Sequence, residues 1–213
     1  MAVCRSVQPT RRAVLHIQPA GDPSTPPDLV EWFTARGFHF YSTAVPLPSD
    51  SVLGRLLTAR HLKVARADLE LARAHLVDAE GIASIIVTAV GRAAIATALW
   101  LNRREFTADA LILHDPALPP AGHLRVDIGC PVLVLSESHA DGTVPRRGWS
   151  GRRGLSRGGG QGNAGLQLGA HVTLLRLAGG ASMPQSSGRQ QYFDEVGRWL
   201  GAYMYGGLQD QLL

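Results

Sequence analysis

The chain has 213 residues, of which 45% are hydrophobic and 18% charged. That is enough sequence to bury a substantial core, and it is too apolar for a disordered chain. No apolar run approaches the roughly 20 residues that span a bilayer, so a helical membrane span is not expected. The net charge of +4 comes from one segment, because 146–165 holds five arginines and no acid. Taking those five from 21 Lys and Arg leaves 16 bases against 17 acids. The rest of the chain is close to neutral, so nucleic acid is not an expected partner.

Residues 1–12 hold no apolar run long enough for secretion, and the Arg11-Arg12 pair precedes only a short strand-like run. Two cysteines, Cys4 and Cys130, form neither a disulfide framework nor a metal motif, so a reducing cytoplasm is the expected compartment.

Along the chain, short β-rich runs alternate with helical patterns, the signature of a parallel sheet with crossover helices. The first run is Ala13 to Ile17. After a Pro- and Gly-rich loop, Thr25-Pro26 reads as an N-cap with proline in the first helical turn. That helix would bury Leu29, Trp32 and Phe33 and stop at Gly37. A second strand follows over Phe38–Thr43. Next comes a long amphipathic helix with Leu62, Ala65, Leu69, Ala72 and Leu76 on one face and Gly81 as its natural stop.

The third run, Ile85 to Thr88, leads through Ala89-Val90-Gly91-Arg92-Ala93-Ala94 directly into the helical stretch Ile95–Leu101: strand, very tight turn, helix. Further strands are expected at Leu111–His114, Val132–Leu135 and Val172–Leu177. A closing helix carries Phe193, Val196, Leu200 and Met204 on one face. The expected fold class is α/β: a doubly wound, mainly parallel sheet of about six strands with right-handed crossovers.

The segment 146–165 breaks the alternation with eight glycines in 20 residues. Glycine at that density carries a high backbone-entropy cost in a helix and offers little to pack. It reads as a flexible surface loop inside a single domain over 11–205. The stretch between the fourth and fifth strands, Pro116 to Gly129, is too short for a lid domain.

The run Ile85-Ile86-Val87-Thr88-Ala89-Val90-Gly91-Arg92-Ala93-Ala94-Ile95-Ala96 resembles the strand–elbow–helix of α/β-hydrolases. There a G-H-S-x-G-G motif presents a nucleophilic serine on a strained turn. The resemblance is closest to short actinobacterial serine hydrolases of the monoacylglycerol lipase or lysophospholipase type. It continues through Ala108–Leu113, Cys130–Ser136, Leu168–Leu174 and Asp194–Leu200, spanning about Arg11 to Tyr203.

The resemblance implies a Ser-acid-His triad that this sequence does not supply in full. Gly91 stands at the nucleophile, and Ala89 and Ala93 replace the flanking glycines. The family acid, which follows the fifth strand counted here, falls on Asp141. The family histidine falls on Ser182 or Ala181, in the turn Ala178-Gly179-Gly180-Ala181-Ser182-Met183-Pro184. The oxyanion-loop position holds His16, followed by Ile17 where the family has glycine. The backbone N–H groups of Arg92 and of a residue near Ile17 would form the hole.

Acyl transfer needs a nucleophile and a base, and glycine has no side chain to attack with. The expectation is a carboxylic-ester-hydrolase-like protein with an impaired triad, taking a small acyl or ester-like ligand. Two alternatives stay open: an active esterase using a displaced serine (Ser138 or Ser182, Ser136 being another hydroxyl in reach), or a binding protein acting through its Arg-rich loop. The eight histidines show no ligand spacing, so neither a metal nor another cofactor is expected. His16 and His114, at strand ends, read as structural hydrogen-bonding groups. The sequence carries no signal for an oligomeric state.

Overall fold

The computed structural model describes residues 1–22, 25–47, 59–102, 108–116, 123–138, 165–167, 172–178 and 189–205. In chain order the strands are β1 (Ala2–Cys4), β2 (Arg12–Pro19), β3 (His39–Val45), β4 (Ser84–Val90), β5 (Ala110–His114), β6 (His123–Arg125), β7 (Val132–Ser138), β8 (Gly165–Gln167) and β9 (Val172–Ala178). The helices are α1 (Pro27–Thr34), α2 (Ala59–Ala74), α3 (Ala93–Leu101) and α4 (Arg189–Leu200). One π-helical turn, His75–Ala79, extends α2, and another, Gly201–Tyr205, extends α4.

Seven strands form one sheet in the order β1-β3-β2-β4-β5-β7-β9. Every neighbouring pair in it is parallel except β1 with β3. The six strands expected from the pattern are all present, each longer by one to three residues. The additions are the antiparallel edge strand β1 and a separate parallel pair, β6 with β8. Three-residue strands leave no periodicity to read, which is why these escaped the pattern.

Central strands such as β4, over Ile85–Ala89, and β5, Ala110–His114, are buried on both faces, as parallel strands covered by helices must be. One face carries Ala13, Leu15, Ile17, Val87 and Leu113 against α2 and α3. The other carries Val14, Ile86, Ile112 and Leu133 against α1 and α4. This is the doubly wound arrangement.

The α2 stripe is as its spacing predicts, with Ala65, Leu69, Ala72 and Leu76 buried. Complete burial of Leu69 and Leu76 stabilises by about 1.5–3 kcal/mol each. The helix ends where Gly81 takes φ +65°, and Ile82 N–H bonds back to Leu76 O at 2.9 Å. Trp100 of α3 donates to Glu70 Oε1 at 3.0 Å, tying the two helices on this face together. On the opposite face, Trp32 stacks on Phe193 at 5.3 Å between ring centroids.

The start of α1 differs from the expected cap. Pro26 is the N-cap and Pro27 the first helical residue, with no side-chain cap hydrogen bond. The Thr25 hydroxyl instead meets Ser42 Oγ at 2.8 Å and Gln18 Oε1 at 3.2 Å, bridging β3 and β2. At the amino end, Arg5 holds both carboxylate oxygens of Glu80 at 2.8 Å and so pins the chain after β1 to the end of α2. Of the segment 146–165, only Gly165 lies within the described residues, as the first residue of β8.

Candidate functional site

The strand order fixes where a ligand can sit. From β2 the chain crosses one way to β3, while β4 adds on β2's other side. In an open α/β sheet the crevice at such a switch point, outside the carboxyl ends of the strands, is the usual ligand site. Here it opens between the ends of β2 and β4. Gly91 follows β4 at this spot, and α3 begins two residues later.

Gly91 has φ +54°, in the left-handed region. Its N–H donates to His114 O at 2.8 Å, which docks the elbow on the end of β5. A Cβ built on Gly91 meets no atom within 4 Å among the described residues. The elbow therefore has the backbone of a tight strand–helix turn and room for a side chain that the sequence omits. An L residue there costs roughly 1–2 kcal/mol, so glycine is the relaxed choice.

Arg92 caps α3 with φ −73° and ψ −26°, without a side-chain cap, and the first turn of α3 carries no acid. The positive end of the helix thus faces the region of Gly91 without a carboxylate of its own helix against it. Eight of the nine α3 residues are buried, so the helix is fixed against the sheet rather than lying on its surface.

Ile17 is not placed in a loop. It is fully buried, paired in register with Thr43 on one side and Ala89 on the other, and β2 continues to Pro19. It stands two registers below Gly91, inside the ladder. His16 pairs in register with Thr88, and its Nδ1 shares a 2.7 Å hydrogen bond with Thr88 Oγ1. His114 Nε2 shares a 3.2 Å hydrogen bond with the Tyr192 hydroxyl of α4.

These two imidazoles are only 1% and 3% exposed, which puts them beneath the crevice rather than in it. Burial lowers His16 to about 4, and burial together with the charge of His16 lowers His114 to about 3. Both are neutral at pH 7. Burial also pushes the Tyr192 hydroxyl up, so it stays protonated. They form an uncharged polar layer under the elbow.

Asp141, Ala181 and Ser182 lie outside the described residues. Ser138 ends β7. Of the sequence-derived site residues, Gly91 and Arg92 come together at the elbow, with His16 and Ile17 lower in the adjacent strand.

One residue went unread in the sequence. Asp115 follows β5 directly with φ +39°, the one positive φ outside glycine among the described residues. Its N–H donates to Leu135 O at 2.9 Å. Pro116 follows it, and a proline normally pushes the preceding residue to extended backbone. Holding Asp115 in this form costs on the order of 1–3 kcal/mol, a strain found most often at functional sites. The Asp-Pro dipeptide after a strand is a turn signal that points to it.

Among the described residues, no three His, Cys, Asp or Glu side chains gather as a metal site. Among the same residues no helix is long and apolar enough to cross a membrane.

No model of a protein family matches the chain, and no curated protein matches its sequence. Solved structures do match over nearly the whole chain. Esterase 2 of Thermogutta terrifontis is 13% identical with a TM-score of 0.51, over 93% of this chain and 87% of its own. Esterase PE8 is 13% identical with a TM-score of 0.55, over 92% and 97%. A structure of the metagenome-derived lipolytic enzymes LipS and LipT is 12% identical with a TM-score of 0.55, over 93% and 96%. At such identities the likeness is one of fold. This chain has the α/β-hydrolase fold, the fold it shares with these esterases and lipolytic enzymes.

Proposed function

We propose that this chain is an esterase- or lipase-like α/β-hydrolase that has lost its nucleophile and keeps a pocket for a small acyl or ester-like ligand over Gly91. One observation carries the reading. The residue in left-handed conformation between β4 and α3, where this fold presents its nucleophile, is a glycine. Without a side-chain oxygen there, no acyl-enzyme forms at the elbow. What remains is the start of α3, where the Arg92 N–H and the helix dipole favour a carbonyl oxygen.

The neutral His16 and His114 support the same reading. Each is buried, and each has a ring nitrogen engaged with Thr88 or Tyr192. Neither stands as an accessible base for a water at the elbow. Residual catalysis from binding and oxyanion contacts alone is roughly 10³- to 10⁴-fold over water where complete triads have been removed. The reading takes 11–205 as one unit and a reducing cytoplasm as its compartment. Asp141 is its acid position and Ser182 its histidine position.

The test is hydrolysis of p-nitrophenyl esters of short and medium acyl chains, comparing the wild type with the Gly91→Ser, Ser182→His double variant. The expected result is a wild type at the buffer rate and a double variant with measurable, saturable turnover. A wild type that already turns over and saturates sinks the reading. A single serine labelled by a fluorophosphonate probe would then locate the displaced nucleophile.

A further inference from the structure

We propose that the outer face of α2 is a self-association surface, on which two copies of this chain pair their helices antiparallel about a two-fold axis. The inference is independent of the crevice over Gly91.

Burial of one face marks out the other. Ala65, Leu69, Ala72 and Leu76 turn α2 toward the core. On the opposite side run Arg60, Val64, Ala67, Leu71, Ala74 and Asp78, the last in the π-helical turn that extends the helix. Val64 is 43% exposed and Leu71 70%. Arg60, Ala67 and Asp78 are exposed too, and Ala74 is half-buried. Steps that alternate between four and three residues are those of a helix–helix seam. This one is apolar along its middle and charged at its two ends.

Charge points to the occupant. From Ala59 to Ala67 the helix carries Arg60, Lys63 and Arg66 and no acid, whereas from Asp68 to Glu80 the chain carries four acids and one base. Glu70 and Glu80 are engaged within the copy by Arg73 and Arg5, and Asp68 and Asp78 add to the same acidic half. A helix dipole favours the reverse order, acids at the start and bases at the end, so a lone helix gains nothing from this segregation. A second copy laid antiparallel sets each basic half against an acidic half and opposes the two dipoles.

The stripe is complementary to itself in that direction. With the two-fold axis at the level of Leu69, Arg60 faces the second copy's Asp78, Val64 faces its Ala74 and Leu71 faces its Ala67. Charge meets opposite charge at the ends, and large meets small at each apolar level, which is what interdigitated packing needs. A parallel pair would instead set Arg60 on Arg60 and Asp78 on Asp78. Two faces of this length bury less than a standard interface of about 1,600 Å², so the dimer is weak, with a dissociation constant on the order of 100 µM.

Sedimentation equilibrium of the full chain, at low and high salt, tests the pairing. Wild type is compared with Leu71→Glu, Arg60→Glu, Asp78→Arg and an equal mixture of the last two. All three positions are exposed, and a wild-type circular dichroism spectrum and urea midpoint confirm that each variant folds. Wild type is expected to dimerise reversibly, and less well at high salt. Leu71→Glu weakens the dimer about 10-fold or more. Arg60→Glu and Asp78→Arg each weaken it about 3-fold or more, because each sets like charges together at both ends. Their mixture associates as tightly as wild type, since every end of the mixed pair again joins opposite charges.

A wild type that stays monomeric at about 1 mM overturns the proposal; if that monomer pellets with anionic vesicles, a lipid surface is the occupant instead. A dimer that Leu71→Glu leaves unchanged lies on another surface and overturns it equally. A mixture no tighter than the single variants rules out the antiparallel register and the proposal with it.

Discussion

Acidification from pH 8 to pH 5 should remove about 4 kcal/mol of folding stability through two residues. His16 and His114 are buried and neutral, lowered from 6.5 to about 4 and about 3. Well above pH 6.5 neither the folded nor the unfolded state holds a proton on them, and they give no pH dependence there. As pH falls below 6.5, the unfolded chain takes up protons that the folded one refuses. Stability is therefore full above the unfolded value and is lost on the way down toward the folded values. At pH 5 an unfolded imidazole is about 97% protonated while the buried ones stay mostly neutral. The linkage integral is then about 2 kcal/mol for each residue. Domains of this kind hold about 5–15 kcal/mol in all, so the loss is a large share. Urea unfolding at pH 8, 7, 6 and 5 measures it. His16→Gln and His114→Gln, which keep a neutral hydrogen-bonding side chain, should each remove about half of the slope. A wild type equally stable at pH 5 and pH 8, or glutamine variants with the wild-type slope, would refute the argument.

The elbow and the thiols give two more outcomes. Gly91→Ala should fold and lose only about 1–2 kcal/mol in urea unfolding, the left-handed penalty, because its Cβ meets no described atom within 4 Å; a loss above about 4 kcal/mol would mean that the space is filled. Native protein should react with a thiol reagent at pH 8 at one cysteine and unfolded protein at two. Cys4 is exposed, whereas Cys130 is buried with its thiol pushed up to about 12. Two fast-reacting thiols in the native state would refute this.

The sheet was legible because its strands are buried on both faces and so read as apolar runs, Ile85–Thr88 and Leu111–His114 among them. The amphipathic faces of α2 and α4 were legible for the complementary reason, since Leu69, Leu76, Val196 and Leu200 recur at helical spacing and are buried. What pattern alone missed depends on pairing partners far away in sequence. β1 exists because Ala2, Val3 and Cys4 meet Ser42, Tyr41 and Phe40. The Thr25 hydroxyl was read as a cap and is used instead by Ser42 and Gln18, which lie near it only once β2 and β3 are side by side. At the site, the elbow followed from a strand running directly into a helix. The placement of Ile17 did not, because where β2 ends is decided by its ladder with β3, which runs on to Pro19 and Val45. At Asp115 the Asp-Pro dipeptide signals a turn, but its left-handed backbone is not written in an apolar period.

The two backbone departures at the crevice point in opposite directions energetically. At Gly91 a left-handed turn that would strain a serine is occupied by the residue that suits it best, so the elbow backbone is relaxed. At Asp115, one hydrogen-bonded strand away, a positive φ of +39° is held ahead of a proline, which opposes it. Strain is absent at Gly91 and retained at Asp115. Glycine at 115 would remove most of the left-handed cost. The difference is one of backbone chemistry: glycine has no Cβ to strain at 91, whereas Pro116 works against the positive φ held at 115.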